Sequence, residues 1–395
     1  VTNTVRELSY ITHIDNLDSI LKQGILSHQQ IIQKEIPFTP IYDSEIVSRR
    51  KEIPTPNGKT LWDYANLFFN VRNPMLYRVK CQKDVKDIAV LGVSPSVLKL
   101  PDIFVTDGNA ACDVTSIVKP TERKLKKIIK QTDKIFWNNY DGSKRKIMAE
   151  CLIPDKIPSA FIISIYVPSH DLIKKVKENV KSNHLGIRSI IPQPKMFFHP
   201  SRVIKLLPNL TLLDGDMFFS RAQTLTVSVN TVRVMGKGVA SRAKYQFPDV
   251  YVEYQDVCRN GRLKMGKPYL YKREHSSDYE LADDPESLEK CNATTWFLLF
   301  ATKKHWRYPS DIKAIEEGLQ WIVKNYKKEK IESLALPALG CGLGRLNWKD
   351  AGPLMCKYMS KLDIPVSIYL PLEKKITERY LTKEFLLSNE QTRLS

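Results

Sequence analysis

In the first half of the chain, short apolar and β-branched runs recur between polar, turn-rich segments. LSYITHI (residues 8–14), DIAVLGV (87–93), DIFVTD (102–107), ECLIP (150–154) and SAFIISIYV (159–167) read as strands, since length, β-branching and flanking turn residues all favour extended backbone. NLDSILKQGIL (16–26) predicts a short helix capped by Asn16 and stopped by Gly24. The second half alternates differently. LTLLDGDMFF (210–219), QTLTVSVNTV (223–232), IESLALPAL (331–339) and VSIYLP (366–371) predict strands, and DIKAIEEGLQWIVKNYKK (311–328) carries the 3.6-residue period of a helix. Strand, helix, strand in that order predicts a three-layer α/β domain with a largely parallel sheet. The pattern changes near PSRVIKLLPNL, which places the junction at about residue 205 and gives two domains, 1–205 and 206–395. No Gly/Ser linker, internal repeat or low-complexity segment interrupts the chain.

Charge narrows the class of partner. Lys and Arg number 61 against 43 Asp and Glu, a formal net charge of +18 over 395 residues, which points to a polyanion. No stretch approaches the ~20 apolar residues needed to span a bilayer, so nucleic acid is expected and a membrane is not. The excess is shared by both halves but clusters locally. Residues 119–146 hold ten basic side chains against Glu122, Asp133 and Asp141, with Phe136, Trp137 and Tyr140 among them. Seven scattered cysteines show no CxxC pair and no histidine at zinc spacing, so neither a disulfide framework nor a metal is expected. The first residues have no basic stretch leading into an apolar core, so no secretion signal is expected and the reducing cytoplasm is the expected compartment.

Three fragments of the first half carry candidate chemistry. ITHIDNLDSILKQGIL places His13 at a strand end before a capped helix; SRRKEIPTPNGKTLWDYANLFFNVRNPMLY contains Arg50, Phe68 and Met75; KRKIMAECLIP sets Glu150 at the head of a β-branched strand in basic surroundings. Each alone has an ordinary structural explanation. Together, with FVTDGNAA at a strand end, they resemble the DarT family, toxins of the ADP-ribosyltransferase superfamily that modify bases in single-stranded DNA. The resemblance runs through most of residues 5–200 and implies a split-sheet ADP-ribosyltransferase fold with NAD as ADP-ribose donor. In that setting a carboxylate stabilises the oxocarbenium-like ribose left when nicotinamide departs, and can take the acceptor's proton; the resemblance assigns this to Glu150. It puts Arg50 at the donor's diphosphate, where a planar fork suits phosphate, with His13, Asn16, Phe68 and Met75 around the donor. The basic segment before Glu150, together with Arg72, would cradle the DNA: Arg72, Lys119, Lys124, Lys127, Lys144, Arg145 and Lys146 on phosphates, and Trp137 or Phe136 stacked on a base. The family's F-x-P-R/F-S-P-M-L stretch is here FFNVRNPML, with Asn73 in the serine position and without the first proline.

In the second half, glycines follow two of the expected strands, in SVNTVRVMGKGVA and LPALGCGLGRLNW. Glycines there let backbone N–H groups approach a diphosphate, although neither has the spacing of a P-loop or of a dinucleotide fingerprint. With FATKKHWRYPSDIKAIEEGL between them, they resemble a macrodomain of the DarG type, the antitoxin that strips ADP-ribose from DNA. The likeness implies that Asn230 contacts the distal ribose, that Gly236, Lys237 and Gly238 line one loop, and that Gly340, Cys341, Gly342, Leu343 and Gly344 line the other. Lys303 matches the family's catalytic lysine and would act as nucleophile or proton donor. Arg233 and Arg345 stand where the family usually has glycine.

The combined expectation is an α/β and α+β two-domain protein: an ADP-ribosyltransferase-like split β-sheet domain followed by a three-layer α/β/α macrodomain. It implies a toxin–antitoxin fusion whose first domain transfers ADP-ribose from NAD to a base of single-stranded DNA, with thymine favoured. Its second domain would take ADP-ribosylated DNA as substrate and remove the mark. Two alternatives stay open: transfer to protein or RNA, or a catalytically dead ADP-ribose and nucleic-acid binding module.

Overall fold

The computed structural model describes residues 5–42, 47–186, 188–288, 294–372 and 374–388. The chain separates into two compact units. One comprises the residues up to Phe197 together with Glu280–Cys291; the other comprises Phe198–Tyr279 and the residues from Asn292 onward. The break falls before the junction expected at about residue 205, because Arg202–Leu207 pairs antiparallel with Leu210–Asp214 and so belongs to the second sheet.

Among its described residues the first unit has ten strands: β1 (Leu8–His13), β2 (Ile25–Leu26), β3 (Tyr64–Phe68), β4 (Ile88–Val93), β5 (Phe104–Thr106), β6 (Ile117–Val118), β7 (Glu150–Pro154), β8 (Lys156–Ile157), β9 (Ile162–Val167) and β10 (Ser189–Pro192). Eight form one sheet in the order β10-β9-β4-β1-β3-β7-β5-β6. Its halves barely join. β1 and β4 pair along their length, as do β3 and β7, whereas β1 meets β3 only at Ser9 and Phe68. The sheet therefore opens into a cleft between β1 and β3. Period-two alternation decides what faces it: Ala65, Leu67, Cys151 and Ile153 enter the main core, while Tyr64 and Leu152 lie on the opposite face, the face shared by Phe68 and Glu150. The helix expected from residue 16 runs Leu17–Gln23 and ends at Gly24, whose φ of 95° suits glycine. Asn16 makes no side-chain cap there. Its amide instead bridges the Thr39 backbone, accepting from N and donating to O, both at 2.8 Å.

The second sheet has seven strands: β11 (Arg202–Leu207), β12 (Leu210–Asp214), β13 (Thr224–Asn230), β14 (Tyr269–Tyr271), β15 (Trp296–Lys303), β16 (Leu334–Pro337) and β17 (Val366–Tyr369), in the order β11-β12-β17-β16-β13-β15-β14. The five inner strands run parallel and the two edge strands antiparallel. Alternation along β15 shows the layering: Leu298 and Phe300 pack with helices Ile312–Asn325 and Trp348–Met359, while Phe297, Leu299 and Ala301 pack with helices Gly238–Gln246 and Pro248–Arg259. The expected strand at 210–219 is shorter than its apolar run. It ends at Asp214, and Met217–Phe219 forms a 3-10 turn whose three side chains are buried.

Candidate active sites

In the first unit, Glu150 opens β7 directly opposite Phe68 of β3, so the carboxylate and the ring share one face. Two contacts fix the carboxylate and a third its backbone. Arg50 Nη2 donates to its Oε2 at 3.0 Å, the Ala110 N–H donates to Oε1 at 2.9 Å, and the Glu150 N–H is itself held by Thr106 Oγ1 at 2.8 Å. Glu150 is 2% exposed and Arg50 14%. Such a buried pair is retained only where partners satisfy both ions. It lies in the β1–β3 cleft, lined also by Thr12, Asn16, His28, Phe68 and Met75. His28 and Tyr42, not singled out from the sequence, form an aromatic wall: the imidazole stacks on Trp62 with ring centres 4.6 Å apart and meets the Tyr42 hydroxyl at 3.2 Å. Burial, with the Arg50 and Lys51 charges adding to it, lowers the His28 pKa to about 4.

The structure distributes the other first-half candidates unevenly. Phe68, Met75, Asn16 and Arg50 line the cleft; His13 does not, and its Nδ1 accepts the Asp15 N–H at 3.2 Å. Arg50, expected at the donor's diphosphate, turns one edge of its fork to Glu150. The basic segment forms an amphipathic helix, Glu122–Thr132, with Thr121 as its cap and Leu125 and Ile128 inward. Lys119, Lys124 and Lys127 face solvent. Trp137 corrects the expectation of a base-stacking ring: it is completely buried, and its indole N–H is shared by the Glu280 and Leu281 carbonyls at 3.2 and 3.1 Å. Arg145 and Arg72 are also bound within the protein, Arg145 to Asp107 and Thr115 and Arg72 to the Ile135 carbonyl. Lys146 reaches the Asp141 carbonyl at 3.4 Å. Burial lowers the Lys144 pKa to about 8 against the opposing pull of Asp283, Glu280 and Asp284.

In the second unit, Asn230 and Lys303 end neighbouring parallel strands and are register partners. The loop after β16 lies close by: Lys303 Nζ donates to the Leu343 carbonyl at 3.4 Å. The crevice beyond the carboxyl ends of parallel strands is where open α/β sheets bind ligands. Gly236 and Lys237 are exposed, and Gly238 begins a nine-residue helix, whose free N–H groups suit an anion. Two glycines of the other loop are obligatory. Gly340 has φ 76°, and a Cβ on Gly344 would meet Ser310 Oγ at 2.3 Å and the Gly340 carbonyl oxygen at 2.5 Å. Cys341 is buried and its thiol pKa is pushed up to about 12, chiefly by burial, so it packs rather than reacts. Asn230 is occupied by its own loop: its amide donates to the Val234 carbonyl at 2.6 Å, and its Oδ1 accepts from the Val232 N–H and from the Tyr254 hydroxyl, each at 3.0 Å. Tyr254 escaped notice in the sequence because nothing local marks it. Arg233 and Arg345 adopt φ 64° and 66°, the left-handed region that explains glycine in the related loops. Burial first, and the Arg345 charge second, lower the Lys303 pKa.

A split sheet with an Arg–Glu pair in its cleft, joined in one chain to a parallel sheet with two glycine loops at its strand ends, defines an ADP-ribosyltransferase-like domain coupled to a macrodomain. Residues 9–198 match the family model for DarT, ssDNA thymidine ADP-ribosyltransferase, and residues 293–355 match that for the Macro domain. A DNA ADP-ribosyl transferase–DNA ADP-ribosyl glycohydrolase fusion protein of Thermosipho africanus is 55% identical over 97% of this chain and 99% of its own. The solved structure of Thermosipho africanus DarTG in complex with ADP-ribose superposes with a TM-score of 0.92 at 54% identity, covering 97% of this chain and 100% of that one. A DNA ADP-ribosyl glycohydrolase of Thermus aquaticus is 33% identical over 42% of each chain. The chain belongs to the DarT–DarG fusion family: a DNA ADP-ribosyltransferase that uses NAD, fused to a DNA ADP-ribosyl glycohydrolase.

Proposed function

We propose that the first unit attaches ADP-ribose to thymidine bases of single-stranded DNA through Glu150, and that the second removes it at the crevice between Asn230, Lys303 and the two glycine loops. The supporting observation is the Arg50–Glu150 pair in the split-sheet cleft. NAD supplies the ADP-ribosyl group. Glu150, held by Ala110 N–H and Arg50, presents a fixed negative charge where positive charge develops on the donor ribose, in a site shielded from bulk water. The same carboxylate stands ready to take a proton from the acceptor base. Phe68, fixed opposite Glu150 by strand register, offers an apolar face to the departing ring. Arg50 holds the carboxylate in position and turns its remaining edge to donor phosphate. In the second unit, Lys303 acts at the anomeric carbon or on the leaving base.

The six described cysteines are all free, which supports the reducing cytoplasm as the place of action. Among the described residues no helix is long and apolar enough to cross a membrane. Incubating the full chain with NAD and oligonucleotides of defined composition, then measuring their mass, tests the reading. ADP-ribose added to thymine-containing strands by Lys303→Ala, and lost on Glu150→Gln, supports it; label on protein or RNA with the DNA unchanged sinks it.

A further inference from the structure

Residues 280–288 lie in the chain between β14 and β15 of the second sheet, yet they belong to the first unit. Several contacts hold them there. Arg78 Nε donates to Asp283 Oδ1 at 2.7 Å, with Arg78 only 2% exposed. Gln82, one turn further along the helix Pro74–Gln82 that carries Arg78, donates to Ser287 Oγ at 3.1 Å. The Trp137 indole N–H is shared by the Glu280 and Leu281 carbonyls, and Leu281, Ala282 and Leu288 are buried. The segment carries Glu280, Asp283, Asp284 and Glu286 without a basic residue. It faces Arg78 and Lys144, and Asp283, Glu280 and Asp284 oppose the fall that burial imposes on the Lys144 pKa.

Its position relative to the chemistry follows from the same contacts. Trp137 and Lys144 lie on the stretch that runs into Glu150, and Asp283 is part of the wall of the cleft that holds Glu150, Arg50 and Phe68. That cleft has a volume of about 140 Å³, whereas ligand pockets run to about 300–1,000 Å³. An acidic segment therefore sits on cations in the wall of the cleft that holds the Glu150 carboxylate.

We infer that Arg78 and Lys144 form a phosphate-binding part of the acceptor-strand site, and that residues 280–288 occupy it within the same chain as an acidic competitor of single-stranded DNA. The inference rests on the function proposed above. The exchange is ionic: a phosphodiester replaces the Asp283 carboxylate on the Arg78 guanidinium, and no covalent bond is made or broken. A strand with several phosphates displaces the segment, so the transferase is restrained when unpaired DNA is scarce.

The test uses the full chain carrying Lys303→Ala, so that product accumulates. Adding Asp283→Asn and Asp284→Asn keeps side-chain shape and removes charge; the KM for a thymine-containing oligonucleotide should fall about tenfold, the size that one charge-assisted contact supports, with the effect on DNA rather than on NAD. Adding Arg78→Gln to that chain should raise the KM again and make the slope of log KM against log salt shallower by about 0.7, the share of one phosphate on a single strand. A purely structural arginine would leave that slope alone. An oligonucleotide KM unchanged by the two asparagines, while transfer remains dependent on Glu150, overturns the inference. If no variant labels DNA and NAD turnover is unaffected by Glu150→Gln, the proposed function itself falls and the inference with it.

Discussion

At the scale of single residues, both activities depend on a few charges whose partners are fixed. Glu150→Gln keeps the shape of the carboxylate but removes its charge, so transfer should fall by at least about 100-fold, the usual cost of losing one electrostatic contact to a transition state; initial rates of oligonucleotide labelling measure it. His28 gives a prediction of different sign and site. Its pKa, about 4 against an ordinary 6.5, means that the unfolded chain binds the proton more readily. Its contribution is complete above about pH 6.5 and is lost as pH falls toward 4, amounting to roughly 3 kcal/mol at the limit. Melting temperatures should therefore drop between pH 6.5 and 4 by less in His28→Gln than in the parent. In the second unit, Arg345 helps to lower the Lys303 pKa. Arg345→Asn removes that charge while tolerating φ 66°, so the limb of the hydrolysis pH profile that belongs to Lys303 should move to higher pH. A limb that rises with pH would mark the neutral amine as the working form, and one that falls would mark the ammonium; an unmoved limb would contradict the placement.

At the scale of elements, strands and loops decide where these residues stand. Gly344→Ala forces a methyl against Ser310 Oγ and the Gly340 carbonyl. It should cost about 1–3 kcal/mol of stability and reduce removal of ADP-ribose from DNA by more than tenfold, while transfer by the first unit continues; paired assays of the two activities would show this. Much at this level was legible in the chain itself. The β-branched runs 87–93, 150–154, 223–232 and 331–339 all contain observed strands, because fully buried strands must be apolar wherever they run. The helix at 311–328 was legible because its 3.6-residue period is local to the chain. Trp137 was misread for the opposite reason. Its burial depends on carbonyls 143 and 144 positions away, and no local pattern reports that. His28, Tyr254 and Ala110 went unnoticed likewise, since a stacking partner, a hydroxyl bound to Asn230 and a backbone N–H have no signature in residue type.

At the scale of the whole molecule, the +18 charge should make DNA recognition strongly dependent on salt. Raising it from 50 to 200 mM should weaken binding of a short single strand by about tenfold or more, as neutralising even a few phosphates requires; fluorescence anisotropy of a labelled oligonucleotide is the readout. Writer and eraser in one chain also keep the second activity at high effective concentration near every product of the first. Product should consequently be scarce with the parent chain and abundant once Lys303 is replaced. The most direct measurement follows from this: time-resolved mass analysis of a thymine-containing oligonucleotide and a thymine-free control, each incubated with NAD and the parent, the Lys303→Ala chain or the Glu150→Gln chain. The account requires ADP-ribose to accumulate on the thymine-containing strand with Lys303→Ala, to stay low with the parent, and to be absent with Glu150→Gln. Equal labelling of both strands, or labelling that survives Glu150→Gln, would contradict it.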